Sequence, residues 1–200
     1  MQSQWELEEQ LKKVLNEKRF RHTLGVSDTA AALTMAHGGD LQKARLAGVL
    51  HDCAKCYSDA ELLAYAQKFQ LPITEVEEQA AYLLHGKVGA YFAEHLYGVT
   101  DEDVLNSIRF HTTGRVNMTQ LEKIIFIADY IEPTRREIPG LDQCRAYAFQ
   151  DLNLATYEIL KNTLQYLEQE QKPSAIDPNT RITMEYYKEL SQNTMDKISS

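Results

Sequence analysis

Leu46-Ala47-Gly48-Val49-Leu50-His51-Asp52-Cys53-Ala54-Lys55 sets an imidazole and a carboxylate side by side at the close of an apolar run. The spacing places this run on a helix from Leu41 to Leu50, with Asp40 as its cap and His51-Asp52 delivered at its end. Together the two side chains make a nitrogen–oxygen grip that suits a hard or borderline divalent ion better than a soft one. A lone His-Asp pair arises by chance in many chains, so its meaning depends on its company.

That company is helical from end to end. Trp5, Leu7, Leu11, Val14 and Leu15 fall roughly on one face. A second helix from about Lys18 carries Phe20, His22, Val26, Ala30 and Leu33 and stops at His37-Gly38-Gly39. Ser58-x-x-Glu61, Thr74-x-x-Glu77 and Thr119-x-x-Glu122 are capping boxes that open further helices. Val88 to Tyr97 reads as a helix ended by Gly98, and Thr100-Asp101-Glu102-Asp103 starts one that ends in Phe110-His111-Thr112-Thr113-Gly114. Ile124 to Asp129 lies on a helix that ends before Pro133, and Leu141 to Phe149 is a short one. Leu152 to about Glu170 is long, and its apolar face could close a bundle or pair two chains as a homodimer. Asn179 to Leu190 is the last helix. No alternating strand pattern of useful length occurs, so the fold class is all-α. Residues 1–190 are expected to form a single domain, with 191–200 as a frayed tail.

The chain has 200 residues, 44% of them apolar, and a formal net charge of −8. Its Lys and Arg are interspersed with acids, which disfavours a phosphate-backbone footprint and hence nucleic acid as a partner. No apolar run approaches a membrane span. The first residues are not a signal peptide, and three cysteines make no disulfide framework. A cytoplasmic protein is expected. Cys53-x-x-Cys56 has neither a second pair nor a βαβ context, so redox chemistry and structural zinc are set aside.

Six histidines occur, and His22, His51, His85 and His111 each fall on or at the end of a different expected helix, beside apolar or small neighbours. Asp129 sits inside the apolar run Ile127 to Ile131, where a free carboxylate is costly to bury unless it is paired. It could pair with Arg135 or Arg136, or join the histidines. A helix bundle lets such side chains converge on a metal from facing helices. Four His and two Asp suffice for one closed site or two open ones, and an open position is what a hydrolytic metal needs. His37 and His95, near helix C-termini, are assigned to dipole or cap roles. Lys55, three residues after Asp52, could meet a phosphate oxygen.

The order His22, His51-Asp52, Asp129 resembles the H…HD…D pattern of HD-domain phosphohydrolases. Arg21-His22-Thr23, His51-Asp52-Cys53-Ala54-Lys55, Leu84-His85-Gly86, Phe110-His111-Thr112-Thr113-Gly114-Arg115 and Ala128-Asp129-Tyr130-Ile131-Glu132-Pro133 with Arg135 resemble the YqeK-type branch. The resemblance implies an HD-domain helical bundle with a metal site in its interior. It implies symmetrical hydrolysis of diadenosine tetraphosphate and related dinucleoside tetraphosphates to two ADP, by attack of metal-activated hydroxide on phosphorus. The implied metal is iron, with manganese or cobalt as substitutes, held by His22, His51, Asp52 and Asp129. The implied catalytic set is His51, Asp52, His85, His111 and Asp129, and Asp52, His85 and His111 could hold a second ion. Substrate contacts, with ADP or GDP as a product-like ligand, fall on His22, Lys55, Cys56, Tyr57, Ser58, His85, His111, Thr112, Asp129 and Arg135, with a further loop at Ser174 to Asn179. Rival readings are a nucleotidase, a dNTPase, a guanosine alarmone hydrolase, or a non-catalytic nucleotide-binding regulator.

Overall fold

The computed structural model describes residues 3–169 and 176–198. Among them are eleven α-helices, one 3-10 turn and no strand. The helices are α1 (Gln4–Val14), α2 (Glu17–His37), α3 (Leu41–Leu50), α4 (Asp59–Lys68), α5 (Glu75–Gln79), α6 (His85–His95), α7 (Glu102–Phe110), α8 (Gln120–Ile131), α9 (Leu141–Ala148), α10 (Leu152–Gln169) and α11 (Pro178–Ile198), with the 3-10 turn Ala81–Leu84 between α5 and α6.

The helix starts follow side-chain chemistry. The boxes expected at Ser58, Thr74 and Thr119 form, and a fourth joins Ser3 to Glu6. In each, the hydroxyl accepts the N3 backbone N–H while the N3 glutamate reaches back to the cap, satisfying two amides that the helix cannot. Asp40 and Asp101 cap α3 and α7 through two backbone N–H groups each. Gly38, at φ +81°, ends α2, where an L side chain would be strained.

α2 and α8 are the central pair. α2 packs on α3 and α8; α3 packs on α7 and α8; α6, α7 and α8 follow in series; α10 lies on α8, α9 and α11. α8 is the most buried helix, with Ile124, Ile125, Phe126, Ile127 and Ala128 all inside, so Asp129 is carried into the interior by its neighbours. Leu154, Ile159, Leu160 and Leu164 of α10 are buried, so this face closes the bundle.

Three expectations are corrected. On α1 only Leu7, Leu11 and Leu15 are buried; Trp5 lies about 200° round the helix from Leu7 and is exposed, as is Val14 in the last turn. α6 starts at His85 rather than Val88, because the 3-10 turn feeds straight into it. The last helix does not end at Leu190: α11 runs to Ile198, and buried Ser191 donates its hydroxyl to the Tyr187 carbonyl.

Close backbone approach brings the elements together around the histidines. A Cβ on Gly48 would lie 2.6 Å from the Ser27 Cα, and one on Gly86 would lie 2.7 Å from the Arg109 carbonyl oxygen. Glycine at these two positions lets α3 press on α2 and α6 on α7. No described helix is long and apolar enough to cross a membrane.

Candidate metal centre

Three of the four histidines stand at helix junctions, and the same local device orients each. His51 follows the last residue of α3, His111 follows the last residue of α7, and His85 opens α6. Terminal turns leave carbonyls with spare acceptor capacity, and the Tyr82 carbonyl uses its own for the His85 backbone N–H as well. Each imidazole donates Nδ1–H to the carbonyl three residues back: His51 to Gly48 at 2.7 Å, His85 to Tyr82 at 2.6 Å and His111 to Ile108 at 2.7 Å. A carbonyl can only accept, so each Nδ1 carries the proton and each Nε2 presents a lone pair. His22, mid-helix on α2, has Nδ1 3.1 Å from the Glu132 carboxylate instead.

The four Nε2 atoms surround Asp52, which is 2% exposed. Its Oδ2 lies 3.6 Å from His51 Nε2 and 3.8 Å from His22 Nε2, while its Oδ1 lies 3.3 Å from His85 Nε2 and 3.5 Å from His111 Nε2. Asp129 Oδ1 completes the first pair, 3.0 Å from His22 Nε2 and 3.8 Å from His51 Nε2. The Nε2 atoms are 3.3 Å apart in the His22–His51 pair and 3.0 Å apart in the His85–His111 pair. Asp129 thus pairs with His22, not with Arg135 or Arg136.

These residues fit a divalent cation. Ligands at about 2.1 Å from one ion lie roughly 3 Å apart when cis, which is the spacing seen here. Imidazole lone pairs that face one another, with buried carboxylates between them, need a cation. Two groups of donors lie close enough to hold one, His22 with His51 and Asp129, and His51 with Asp52 and His111. The expected second set, Asp52 with His85 and His111, is equally tight: its Asp52 Oδ1 and two Nε2 atoms lie within 3.5 Å of one another.

Electrostatics follow from this crowding. Burial pushes His51 and His85 down to about 4. Burial alone would raise Asp52, but the imidazoles of His51, His111 and His85 outweigh it and hold the carboxyl well below its usual range. Asp129 is likewise lowered, its burial outweighed first by His22. Burial opposes charge on His22, yet Asp129, Glu132 and Asp52 raise its pKa.

A pH dependence follows for metal-free protein. His51 and His85 stay neutral when folded until about pH 4, whereas histidines in the unfolded chain protonate near pH 6.5. Their contribution is therefore complete above about pH 6.5 and is lost as pH falls toward 4. His22 is raised and works in the opposite sense, offsetting part of the loss. The carboxylates Asp52 and Asp129 are lowered, so their contribution persists until lower pH. Melting of chelator-treated protein at pH 7.5, 6 and 5 should show a falling midpoint; a rising midpoint would contradict this reading.

The other expected residues are placed as follows. Lys55 is half-buried, its Nζ 3.1 and 3.3 Å from the two ring nitrogens of His85, and burial lowers its pKa. The Thr112 hydroxyl lies 3.2 Å from His85 Nε2 and 3.1 Å from His111 Nε2. A cavity of about 1440 Å³ reaches His22, His111, Thr112 and Asp129 and is rimmed by cations that include Arg19, Arg135 and Arg136. Arg135 lies over the Tyr130 ring. Cys56, Tyr57 and Ser58 do not line this cavity: Cys56 is exposed, Tyr57 packs on Tyr65 and Phe92, and Ser58 caps α4. Of the loop expected at Ser174 to Asn179, Ser174 and Ala175 lie outside the described residues, and Asp177 lines the cavity. His37 bonds to the Ala148 carbonyl and His95 to that of Tyr91, away from the centre. Cys53 is buried and Cys56 exposed, both as free thiols.

Two residues that touch the centre had no role in the sequence reading. Arg19 Nη1 donates to Asp52 Oδ2 at 2.6 Å, and Glu132 is 1% exposed against His22. Their signal was spacing: Arg19 lies one turn before His22 on α2, and Glu132 one turn after Asp129.

An all-helical bundle that gathers histidines and aspartates from several helices around one interior defines the HD class. The chain belongs to the HD-domain family, which matches residues 19–134 as "HD domain", and within it to the YqeK-type group of hydrolases. It is 44% identical to the symmetrical bis(5'-nucleosyl)-tetraphosphatase of Halalkalibacterium halodurans, over 84% of this chain and 88% of that one. It is 40% identical to the protein of the same name from Bacillus subtilis, over 86% and 91% of the two chains. A crystal structure from Clostridium acetobutylicum, titled a predicted HD superfamily hydrolase involved in NAD metabolism, superposes with a TM-score of 0.89 at 41% identity, covering 94% of this chain and 97% of that one.

Proposed function

We propose that this protein cleaves dinucleoside tetraphosphates symmetrically, diadenosine tetraphosphate into two ADP, with iron as its metal and manganese or cobalt as substitutes. One observation carries the reading: Asp52 turns one oxygen to each imidazole pair beside a large cavity whose lining includes Arg19, Arg135 and Arg136. The relatives' names supply the substrate class.

His22, His51, Asp52 and Asp129 would hold a divalent ion, which when bound would supply Lewis acidity and lower the pKa of a water. A second set, Asp52, His85 and His111, is available for another ion. The chain's own residues do the rest. Neutral His85 offers a lone pair at pH 7 and so favours a ligand role over that of a proton donor. Lys55 and Arg135 neutralise polyphosphate charge, Arg135 with a bidentate grip. Water adds to a phosphorus next to the central bridging oxygen, that P–O bond breaks, and ADP leaves from either side.

Replacing Arg135 with alanine should raise KM about 10-fold or more with little change in kcat, since a charge-assisted hydrogen bond contributes about 1.5–3 kcal/mol. An unchanged KM would remove Arg135 from substrate binding. The reading as a whole is tested by comparing rates on diadenosine tetraphosphate, AMP, dATP and a guanosine tetraphosphate alarmone, after loading with iron(II) or manganese(II). Diadenosine tetraphosphate should be the best substrate by far. Preference for a mononucleotide would replace the reading with a nucleotidase or dNTPase, and preference for the alarmone with an alarmone hydrolase. Tight binding without turnover of any would make the protein a regulator.

A further inference from the structure

His22 differs from its three companions. His51, His85 and His111 donate Nδ1–H to backbone carbonyls, but His22 Nδ1 faces a carboxylate, Glu132 Oε1, at 3.1 Å. Glu132 is itself pinned. The Thr134 backbone N–H donates to its Oε2 at 2.6 Å, and the Thr134 hydroxyl donates to its Oε1 at 2.9 Å. Space for it depends on Gly25, one turn after His22 on α2: a Cβ there would lie 2.6 Å from Glu132 Oε2. Alanine is the better helix former by up to about 1 kcal/mol, so glycine in mid-helix has a local reason.

We propose that Glu132 is a positioning residue: its buried carboxylate fixes the Nδ1–H tautomer of His22 and aims Nε2 at the divalent cation, and Gly25 keeps the room that carboxylate needs. A carboxylate behind a ligating imidazole raises the ligand's basicity, and loss of such a partner costs about 10–100-fold in metal affinity. Glutamine at 132 cannot serve both neighbours. Its single carbonyl oxygen can accept from Thr134 N–H or from His22 Nδ1–H, and its amide NH2 then meets the other donor. With the oxygen on Thr134, the amide donates to Nδ1, the ring proton moves to Nε2, and the lone pair aimed at the cation is lost.

The inference rests on the metal-centre reading, so its test separates the two. Without a cation Asp129 Oδ1, 3.0 Å from His22 Nε2, competes for the ring proton, so ring nitrogen NMR of protein loaded with diamagnetic zinc(II) at pH 8.5 reads the tautomer, and manganese(II) titration by electron paramagnetic resonance reads affinity without turnover. In wild type His22 should be the Nδ1–H tautomer; finding Nε2–H would overturn the proposal at once. Glu132→Gln should shift His22 toward Nε2–H and weaken manganese binding about 10–100-fold. Gly25→Ala, which removes no polar group, should move both readouts the same way by less, and it serves if the first variant fails to fold. A folded variant that keeps the Nδ1–H tautomer, with manganese affinity within twofold of wild type, would overturn the role. Wild type with the expected tautomer but no manganese binding would overturn the cation half of the proposal.

Discussion

His51→Ala is expected to strip the ion from the set formed by His22, His51, Asp52 and Asp129 and to lower turnover by about 10³-fold or more, with helicity unchanged. His51 belongs to both groups of converging donors, so its loss strikes each. A metal that polarises phosphate contributes several kcal/mol to the transition state, and about 4 kcal/mol corresponds to 10³ in rate. The fold should survive, because the imidazole's one backbone partner is the Gly48 carbonyl in the last turn of α3. Metal content by mass spectrometry and far-UV circular dichroism check both halves. A variant that keeps full metal and activity would remove His51 from the site.

Gly48→Ala should be among the most destabilising single changes, by about 3 kcal/mol. In an ordinary helix interior the same change would stabilise. Here the new methyl meets Ser27 Cα at 2.6 Å and Ser27 N at 3.0 Å, backbone atoms that cannot rotate away. α2 and α3 must separate, the best-packed contact beside the site loosens, and the Gly48 carbonyl that orients His51 shifts with it. For a chain of this size the midpoint should fall by about 6–12 °C. Thermal melting of metal-free protein reads this directly; an unchanged or raised midpoint would show that the helices yield.

Much of this was legible in the sequence because helix boundaries are local. Ser58, Thr74, Thr119 and Asp40 announce their helices through side-chain to backbone hydrogen bonds that need no tertiary partner. The four histidines and Asp129 could be singled out because each lies against apolar neighbours. What stayed hidden depends on facing elements. Arg19 reads as one of several cations near the start of α2 until α3 brings Asp52 to 2.6 Å from it. Glu132 reads as a residue before a proline until α2 lays His22 beside it. The burial of Ser191 depends on what packs against α11, so the sequence alone ends the last helix at Leu190.

The most direct test is a product analysis. Protein purified without oxygen, loaded with iron(II) and given diadenosine tetraphosphate, should yield ADP as the sole nucleotide on ion-exchange chromatography. ATP with AMP, or no cleavage by protein shown to contain metal, would contradict symmetrical hydrolysis at this centre.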